Sequence, residues 1–255
     1  MPSLNYLQLL VGVFVGIASG YLGSFMVLRR MALVGDALSH VALPGLALAL
    51  LFHVNPFFGA FATLFAGIIG IWLIENKTEL PTESLVGLFF TFALAAGFLI
   101  TPQVDILEAL FGDISKITFL DGILAVILSI AVIIVMKKIS KGFILSTIST
   151  DLAKSSGVKV ARINFIFLVL VALIVASGIK AVGSLLMGAL VIIPAIASKN
   201  FTTGMGRYTV LSAVFGLASL LGGIALASYL KLSPGPLVVL VSTAFFVVSL
   251  LKSKQ

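Results

Sequence analysis

Long apolar runs, interrupted only by short groups of charged and turn-forming residues, dominate the pattern of this chain. A helix of about 20 apolar residues crosses a bilayer core of about 30 Å. Runs of this length recur along the whole sequence, and Pro, Gly, Asn and charged residues mark their ends. The pattern predicts an all-α, polytopic membrane protein with nine spans, near residues 7–28, 33–53, 57–75, 83–101, 120–136, 163–178, 181–198, 208–230 and 235–251.

Composition supports the membrane class. Of the 255 residues, 60% are hydrophobic and 10% are charged, whereas soluble domains carry about 25% charged residues. Because so few charges cannot cover a globular surface in water, we expect most of the surface to contact membrane lipid. The absence of cysteine excludes disulfides and thiolate metal ligands. We therefore expect one transmembrane domain over residues 1–255.

The basic residues are distributed unevenly between alternate loops. If the N-terminus lies outside and the helices alternate, all but three of the 16 Lys and Arg residues lie on the cytoplasmic side, the exceptions being Lys116, Lys180 and Lys231. This bias follows the positive-inside rule and predicts an N-terminus outside and a C-terminus inside. It also explains the net charge of +7 without a nucleic-acid partner. Eight crossings with one re-entrant segment are the alternative, and would move one terminus to the other side.

The chemically most informative stretch, RRMALVGDALSHVALPG at residues 29–45, leads into the second span. Asp36 and His40 are four positions apart, so on a helix they share one face. Ionisable residues inside a membrane mark a functional site by default, and a carboxylate with an imidazole suits Mn²⁺, Zn²⁺ or Fe²⁺. Binding would weaken as pH falls, because His40 must be neutral to ligate. A structural alternative stays open, with Asp36 as a helix N-cap and His40 as a hydrogen-bonded packing residue.

Pro44 is placed where it interrupts the same helix. It lacks the backbone N–H that would donate to the carbonyl oxygen of His40. Irregular backbone at membrane depth is tolerated only where it is buried in protein or lines a cavity. We therefore expect Ser39 and Pro44 to mark a helix break or a transport pathway.

The same stretch resembles the manganese/zinc/iron permease family of ATP-binding-cassette (ABC) importers, which are metal-uptake membrane subunits of bacteria. The most specific part of the resemblance is Gly35-Asp36 followed by Ser39-His40, with Leu-Pro-Gly at residues 43–45. Further similar motifs lie at residues 83–87, at the FGDI segment 111–114 and at 181–195, so the resemblance covers roughly residues 20–200. It implies that Asp36 and His40 contact the metal.

The longest polar stretch on the predicted cytoplasmic side spans residues 137–162. Within it, Asp151, Ala153 and Gly157 follow an acidic-x-Ala-x-x-x-Gly pattern, which resembles the coupling loop by which importer permeases dock on their ATPase. A short helix ended by glycine makes a rigid knob for a partner's groove, although any surface helix followed by glycine gives the same pattern. We expect the coupling loop at about residues 142–160.

The resemblance implies a permease subunit for uptake of Mn, Zn or Fe across the bacterial cytoplasmic (inner) membrane. Its implied partners are a second copy of the chain around a central pathway, two cytoplasmic ATPase subunits and an extracytoplasmic metal-binding protein. No G-x-x-x-x-G-K-[ST] phosphate loop occurs in the sequence, so we expect ATP hydrolysis on another polypeptide, no enzymatic activity of this chain and no stably bound cofactor. Two alternatives stay open: a secondary metal transporter driven by an ion gradient, and an importer permease for a chelate such as cobalamin or a siderophore.

Overall fold

The computed structural model describes residues 6–78, 80–100 and 117–252, and over these ranges it is helical without any strand. The predicted FGDI segment, residues 111–114, lies outside the described residues. The helices are α1 (Tyr6–Leu28), α2 (Ala32–Val41), α3 (Leu43–Leu51), α4 (Pro56–Glu75), α5 (Thr82–Ile100), α6 (Phe119–Ile148), α7 (Thr150–Ser155), α8 (Val160–Val182), α9 (Ser184–Lys199), α10 (Met205–Leu230) and α11 (Pro234–Leu250). The predicted all-α class is confirmed for this part of the chain.

Helical structure coincides with each of the nine predicted spans. Among the described residues, seven helical segments are long and apolar enough to cross a membrane: α1, α2 together with α3, α4, α5, α6, residues 160–179 of α8, and α10. Helices α9 and α11 are apolar but have only 16 and 17 residues. At a rise of about 1.5 Å per residue they are shorter than a bilayer core of about 30 Å. Nine crossings and the orientation of the termini therefore stay predictions.

Glycines allow α1 and α10 to pack with their backbones in contact. A Cβ added to Gly16 would lie 2.8 Å from the carbonyl oxygen of Gly216. A Cβ added to Gly20 would clash with the carbonyl oxygen of Ser212 in the same interface. In lipid, where hydrophobic burial does not drive helix association, such close packing is a main source of attraction. The glycine-rich face of α1 is thus a packing surface that anchors the helix preceding α2.

Helix α6 is much longer than the span predicted from hydropathy. Its 30 residues extend over about 45 Å, which exceeds the hydrocarbon core. The predicted span 120–136 ends where Lys137 and Lys138 begin an exposed face, but the helix continues to Ile148. The first residues of the predicted coupling loop, 142–148, therefore belong to α6, and α7 with its flanking turns forms the rest of that loop.

Candidate functional site

The second hydrophobic segment is divided into two helices near its centre. Helix α2 ends at Val41 and α3 begins at Leu43, with Ala42 between them at φ −71° and ψ −23°. Pro44 lies in the first turn of α3, where a backbone N–H has no partner within the helix and a proline is accommodated. The break thus follows directly after the turn that carries His40.

Asp36 and His40 lie on successive turns of α2, on the same face of the helix. The N-cap position of α2 is Met31, so Asp36 is inside the helix and does not cap it. No hydrogen bond joins the Asp36 carboxylate to another side chain or backbone group of the described residues, and the side chain is half-buried. The interpretation of Asp36 as a helix cap is therefore excluded.

The imidazole of His40 is buried with one ring nitrogen unpaired. The residue is 8% exposed, and its ring lies edge-on to Phe90 of α5, with the centroids 5.4 Å apart and the planes at 62°. Within the described residues, Nδ1 of His40 has no hydrogen-bond partner. A buried polar atom left unpaired costs about 1–3 kcal/mol, and an imidazole nitrogen is the commonest metal ligand in proteins. The alternative of a hydrogen-bonded packing histidine does not account for Nδ1.

Helix α9 packs directly against Asp36. A Cβ added to Gly188 would lie 2.6 Å from Cα of Asp36 and 2.7 Å from both its Cβ and its Oδ1. A side chain at position 188 would therefore force α2 and α9 apart and move Asp36 together with its backbone. Gly188 cannot be recognised from the sequence, because a glycine that faces a carboxylate distant in the chain is revealed only by the packing of the two helices.

Ser39 is buried and bonded within its own helix. Its Oγ donates a hydrogen bond of 2.6 Å to the carbonyl oxygen of Asp36, and the side chain is 0% exposed. Such a bond to a carbonyl one turn earlier is a common arrangement for serine within helices. The bond places the Ser39 hydroxyl beside the backbone of Asp36, and a direct role in a pathway stays a prediction.

Asp36 and His40 are two candidate metal ligands, and the described residues bring no further acidic, histidine or cysteine side chain to them as part of a larger group. Nowhere in the described ranges do three or more His, Cys, Asp or Glu side chains form a group able to hold a metal ion. Structural zinc sites close with four protein ligands. Binding of a cation between Asp36 and His40, with further ligands from water, backbone carbonyls or a second subunit, stays a prediction.

The predicted docking segment forms a short helix, α7, that is capped by hydrogen bonds at both ends. At the start of α7, Ser149 Oγ accepts a hydrogen bond of 3.2 Å from the N–H of Leu152. At the end, the N–H groups of Gly157 and Val158 donate to carbonyls in the last turns of α7, at 3.0 and 2.9 Å. Gly157 has φ 79°, a left-handed conformation that favours glycine and completes a Schellman motif.

The three predicted docking residues do not share one surface. Asp151 and Gly157 are exposed, and Leu152 beside them is 51% exposed. Ala153 is 0% exposed, so it packs α7 onto the rest of the chain and is not available to a partner. Docking through Asp151 and Gly157 stays a prediction.

Comparison with known proteins gives the family. A family model described as "ABC 3 transport family" matches residues 4–253. The chain is 33% identical to the high-affinity zinc uptake system membrane protein ZnuB of Buchnera aphidicola, over 95% of both chains. It is 31% identical to the manganese transport system membrane protein MntC of Listeria monocytogenes, over 98% of this chain and 92% of the relative.

Solved structures share the fold over nearly the whole chain. The structure of PsaBC from Streptococcus pneumoniae in complex with Fab superposes with a TM-score of 0.83 at 26% identity, over 95% of this chain and 89% of that one. An inward-facing conformation of a metal-chelate type ABC transporter superposes with a TM-score of 0.76 at 18% identity, a likeness that concerns the fold alone. The resemblance to metal-uptake permeases noted in the sequence is confirmed: the chain is a multi-pass membrane protein and belongs to the ABC 3 transport family.

Proposed function

We propose that this chain is the membrane-spanning permease subunit of a bacterial ABC importer that takes up a divalent transition metal, Mn²⁺, Zn²⁺ or Fe²⁺, across the cytoplasmic membrane. The observation that carries the proposal is the buried His40, whose Nδ1 has no hydrogen-bond partner in the described part of the chain, one helical turn from the carboxylate of Asp36. Relatives named for zinc uptake and for manganese transport span the chain almost completely, which supports a metal as the cargo.

Asp36 and His40 have complementary roles in this proposal. The carboxylate supplies negative charge that offsets the desolvation of a dication, and the neutral imidazole supplies a nitrogen donor that suits first-row divalent metals. Conduction requires binding that is favourable enough for entry and weak enough for release. Two ligands in one chain satisfy the second condition, and proton competition for the imidazole predicts less uptake at acid pH.

The proposed assembly is a homodimer with two cytoplasmic ATPase subunits and an extracytoplasmic metal-binding protein. Helix α5, which contacts His40 through Phe90, exposes large apolar residues on its other side, among them Leu88, Phe92 and Leu99. An apolar face beside the site is suited to a second copy of the chain or to lipid. The sequence contains no phosphate-binding loop of its own, which supports a separate ATPase.

The two histidines of the chain provide a matched test. We expect His40→Asn to reduce ATP-dependent uptake of Mn²⁺ or Zn²⁺ in proteoliposomes by at least about tenfold, since even outer-shell partners of metal ligands are worth about 10- to 100-fold. His53→Asn is the control, because His53 is exposed at the end of α3 with φ 54°, a conformation that asparagine also adopts. Asp36→Ala should behave like His40→Asn.

The same vesicles separate the alternatives. Metal uptake driven by a proton or sodium gradient without the ATPase would make the chain a secondary transporter. Uptake of a chelated metal but not of the free ion would favour the chelate permease. Wild-type uptake by both Asp36→Ala and His40→Asn would remove the proposed site.

A further inference from the structure

A half-buried arginine, Arg29, connects the docking segment to the turn that leads into α2. We call residues 142–164 the docking hairpin, because they comprise the end of α6, all of α7 and the start of α8. Nη1 of Arg29 donates a hydrogen bond of 2.7 Å to Oδ1 of Asn164 in α8. The guanidinium carbon of Arg29 also lies 4.9 Å from the centre of the Phe143 ring in α6. One side chain therefore contacts both arms of the docking hairpin.

The guanidinium of Arg29 is partly shielded from water and lies near a negative charge. Burial lowers the pKa of Arg29, and the negative charge of Glu75 at the end of α4 raises it. Arginine keeps its positive charge in proteins. A partly buried charge depends on each of its partners, since removing one leaves an uncompensated charge. Arg29 is therefore fixed by Asn164 and by the Phe143 ring within the field of Glu75.

The two arms of the docking hairpin are packed tightly enough to move together. A Cβ added to Gly142 in α6 would lie 2.7 Å from Cδ1 of Ile163 in α8. The rings of Phe143 and Phe167 have centroids 4.4 Å apart. Because both ends of α7 are capped by hydrogen bonds, a force on the exposed surface of α7 would displace the ends of α6 and α8 together, including the atoms that contact Arg29.

Only a short, hydrogen-bonded turn lies between Arg29 and α2, the helix that carries Asp36 and His40. Arg30 adopts the left-handed conformation at φ 62°, and the N–H of Met31 donates to the carbonyl of Met26 at 2.9 Å. This bonded turn ends at Ala32, where α2 begins. A displacement of Arg29 is therefore passed to α2 and is not absorbed by a flexible linker.

We infer that Arg29 is a positioning residue that transmits movement of the docking hairpin to α2 and so to the proposed metal ligands. The inference rests on the proposed function, which supplies an ATPase at α7 and a metal at Asp36 and His40. Arg29 itself touches neither partner. Its role is to make the position of α2 depend on the position of the docking hairpin.

Two adjacent arginines allow a charge-conserving test in the reconstituted complex with its ATPase. Arg29→Lys keeps the charge but loses the planar group that bonds Asn164 and stacks on Phe143. Arg30→Lys is the matched control, because Arg30 is exposed. We expect Arg29→Lys to keep ATP hydrolysis near the wild-type rate while Mn²⁺ or Zn²⁺ uptake falls about tenfold, the factor that one hydrogen bond to a charged group represents. Arg30→Lys should keep the wild-type ratio of uptake to hydrolysis.

A second variant keeps the inference testable if Arg29→Lys does not fold. Asn164→Ala should lower the same ratio, and the double variant should lose no more coupling than Arg29→Lys alone, because both changes break one link. If ATP hydrolysis and metal uptake fall in parallel in Arg29→Lys and in Asn164→Ala, the role of the contact is merely structural and the inference is overturned. Wild-type coupling in both variants also overturns the inference. Absence of metal uptake by the wild-type complex would overturn the proposed function together with the inference, whereas wild-type coupling in the variants overturns the inference alone.

Discussion

Replacing Gly188 with alanine tests whether the position of Asp36 matters for transport. The added Cβ would lie 2.6–2.7 Å from Cα, Cβ and Oδ1 of Asp36, whereas non-bonded carbon atoms separate to about 3.5–4.0 Å. Because Cα of Asp36 is the nearest of these atoms, rotation of the side chain cannot relieve the contact, and the backbone of α9 or of α2 must move by about 1 Å. Metal–ligand distances are defined within about 0.2 Å, so a shift of this size changes the geometry that the carboxylate offers to a cation.

The size of the expected effect of Gly188→Ala on metal uptake follows from the free-energy cost of overpacking. Inserting one methyl group into a well-packed interior costs about 1–3 kcal/mol, which corresponds to about 5- to 150-fold in an equilibrium constant. If the strain is relieved at Asp36, it appears as weaker coordination of the metal. We therefore expect Gly188→Ala to raise the metal concentration for half-maximal uptake by at least about fivefold, with a smaller change in the amount of folded protein.

The assay is ATP-dependent uptake of radioactive Mn²⁺ or Zn²⁺ by the complex in proteoliposomes, as a function of metal concentration. The control is Gly206→Ala at the start of α10, where an added Cβ meets nothing within 4 Å. Thermal unfolding of both purified variants separates a change at the site from a general loss of stability. If Gly188→Ala and Gly206→Ala show the same half-maximal concentration, the close approach of α9 to Asp36 has no bearing on metal binding and the reasoning fails.

Two other expectations concern the docking helix and the topology. Valine at position 157 would be forced into the left-handed region at φ 79°, at a cost of about 1–2 kcal/mol, although its Cβ would meet no other atom within 4 Å. We therefore expect Gly157→Val to uncouple ATP hydrolysis from metal uptake. The control is Gly204→Val, because the φ of −118° at Gly204 suits valine. Unchanged coupling in Gly157→Val would place the docking site elsewhere. Tags at the two termini should be accessible from opposite sides of the membrane, as nine crossings require, and labelling from the same side would exclude that number.

Most of the fold could be predicted because lipid restricts what a membrane-spanning backbone can do. In lipid every backbone N–H and C=O must be paired within the chain, so each long apolar run becomes a helix. The end of α6 was not predicted. Lys137 and Lys138 mark where the chain leaves the apolar layer, but the helix continues because Phe143 and Gly142 pack against α8 beyond that point. Hydropathy locates the membrane boundary, whereas helix ends depend on packing and hydrogen bonds.

In the candidate site, too, some residues could be predicted from the sequence, whereas others are recognised only from the packing of helices. Asp36 and His40 were found from spacing, because residues four apart on one helix must share a face. The interior position of Ala153 and the contact of Gly188 with Asp36 depend on how separate helices meet. Arg29 and Asn164 are 135 positions apart in the chain, and no local pattern relates them. Sequence thus located the candidate ligands, and the packing located the residues that hold them.

The proposed site has only Asp36 and His40 as side-chain ligands among the described residues, an arrangement that suits transport of a metal better than storage. A closed structural zinc site contributes about 10–16 kcal/mol, which would hold the ion too firmly for release at each cycle. The fold instead leaves one buried nitrogen of His40 unpaired, at a cost of about 1–3 kcal/mol that a ligated metal would recover. Two side-chain ligands on one helix hold an ion less firmly than a closed site with four protein ligands, so in the proposed mechanism a movement of α2 weakens the coordination. Since α2 begins directly after the turn that Arg29 connects to the docking hairpin, the proposed mechanism requires that a displacement at the cytoplasmic partner moves α2 and so changes the coordination of the ion.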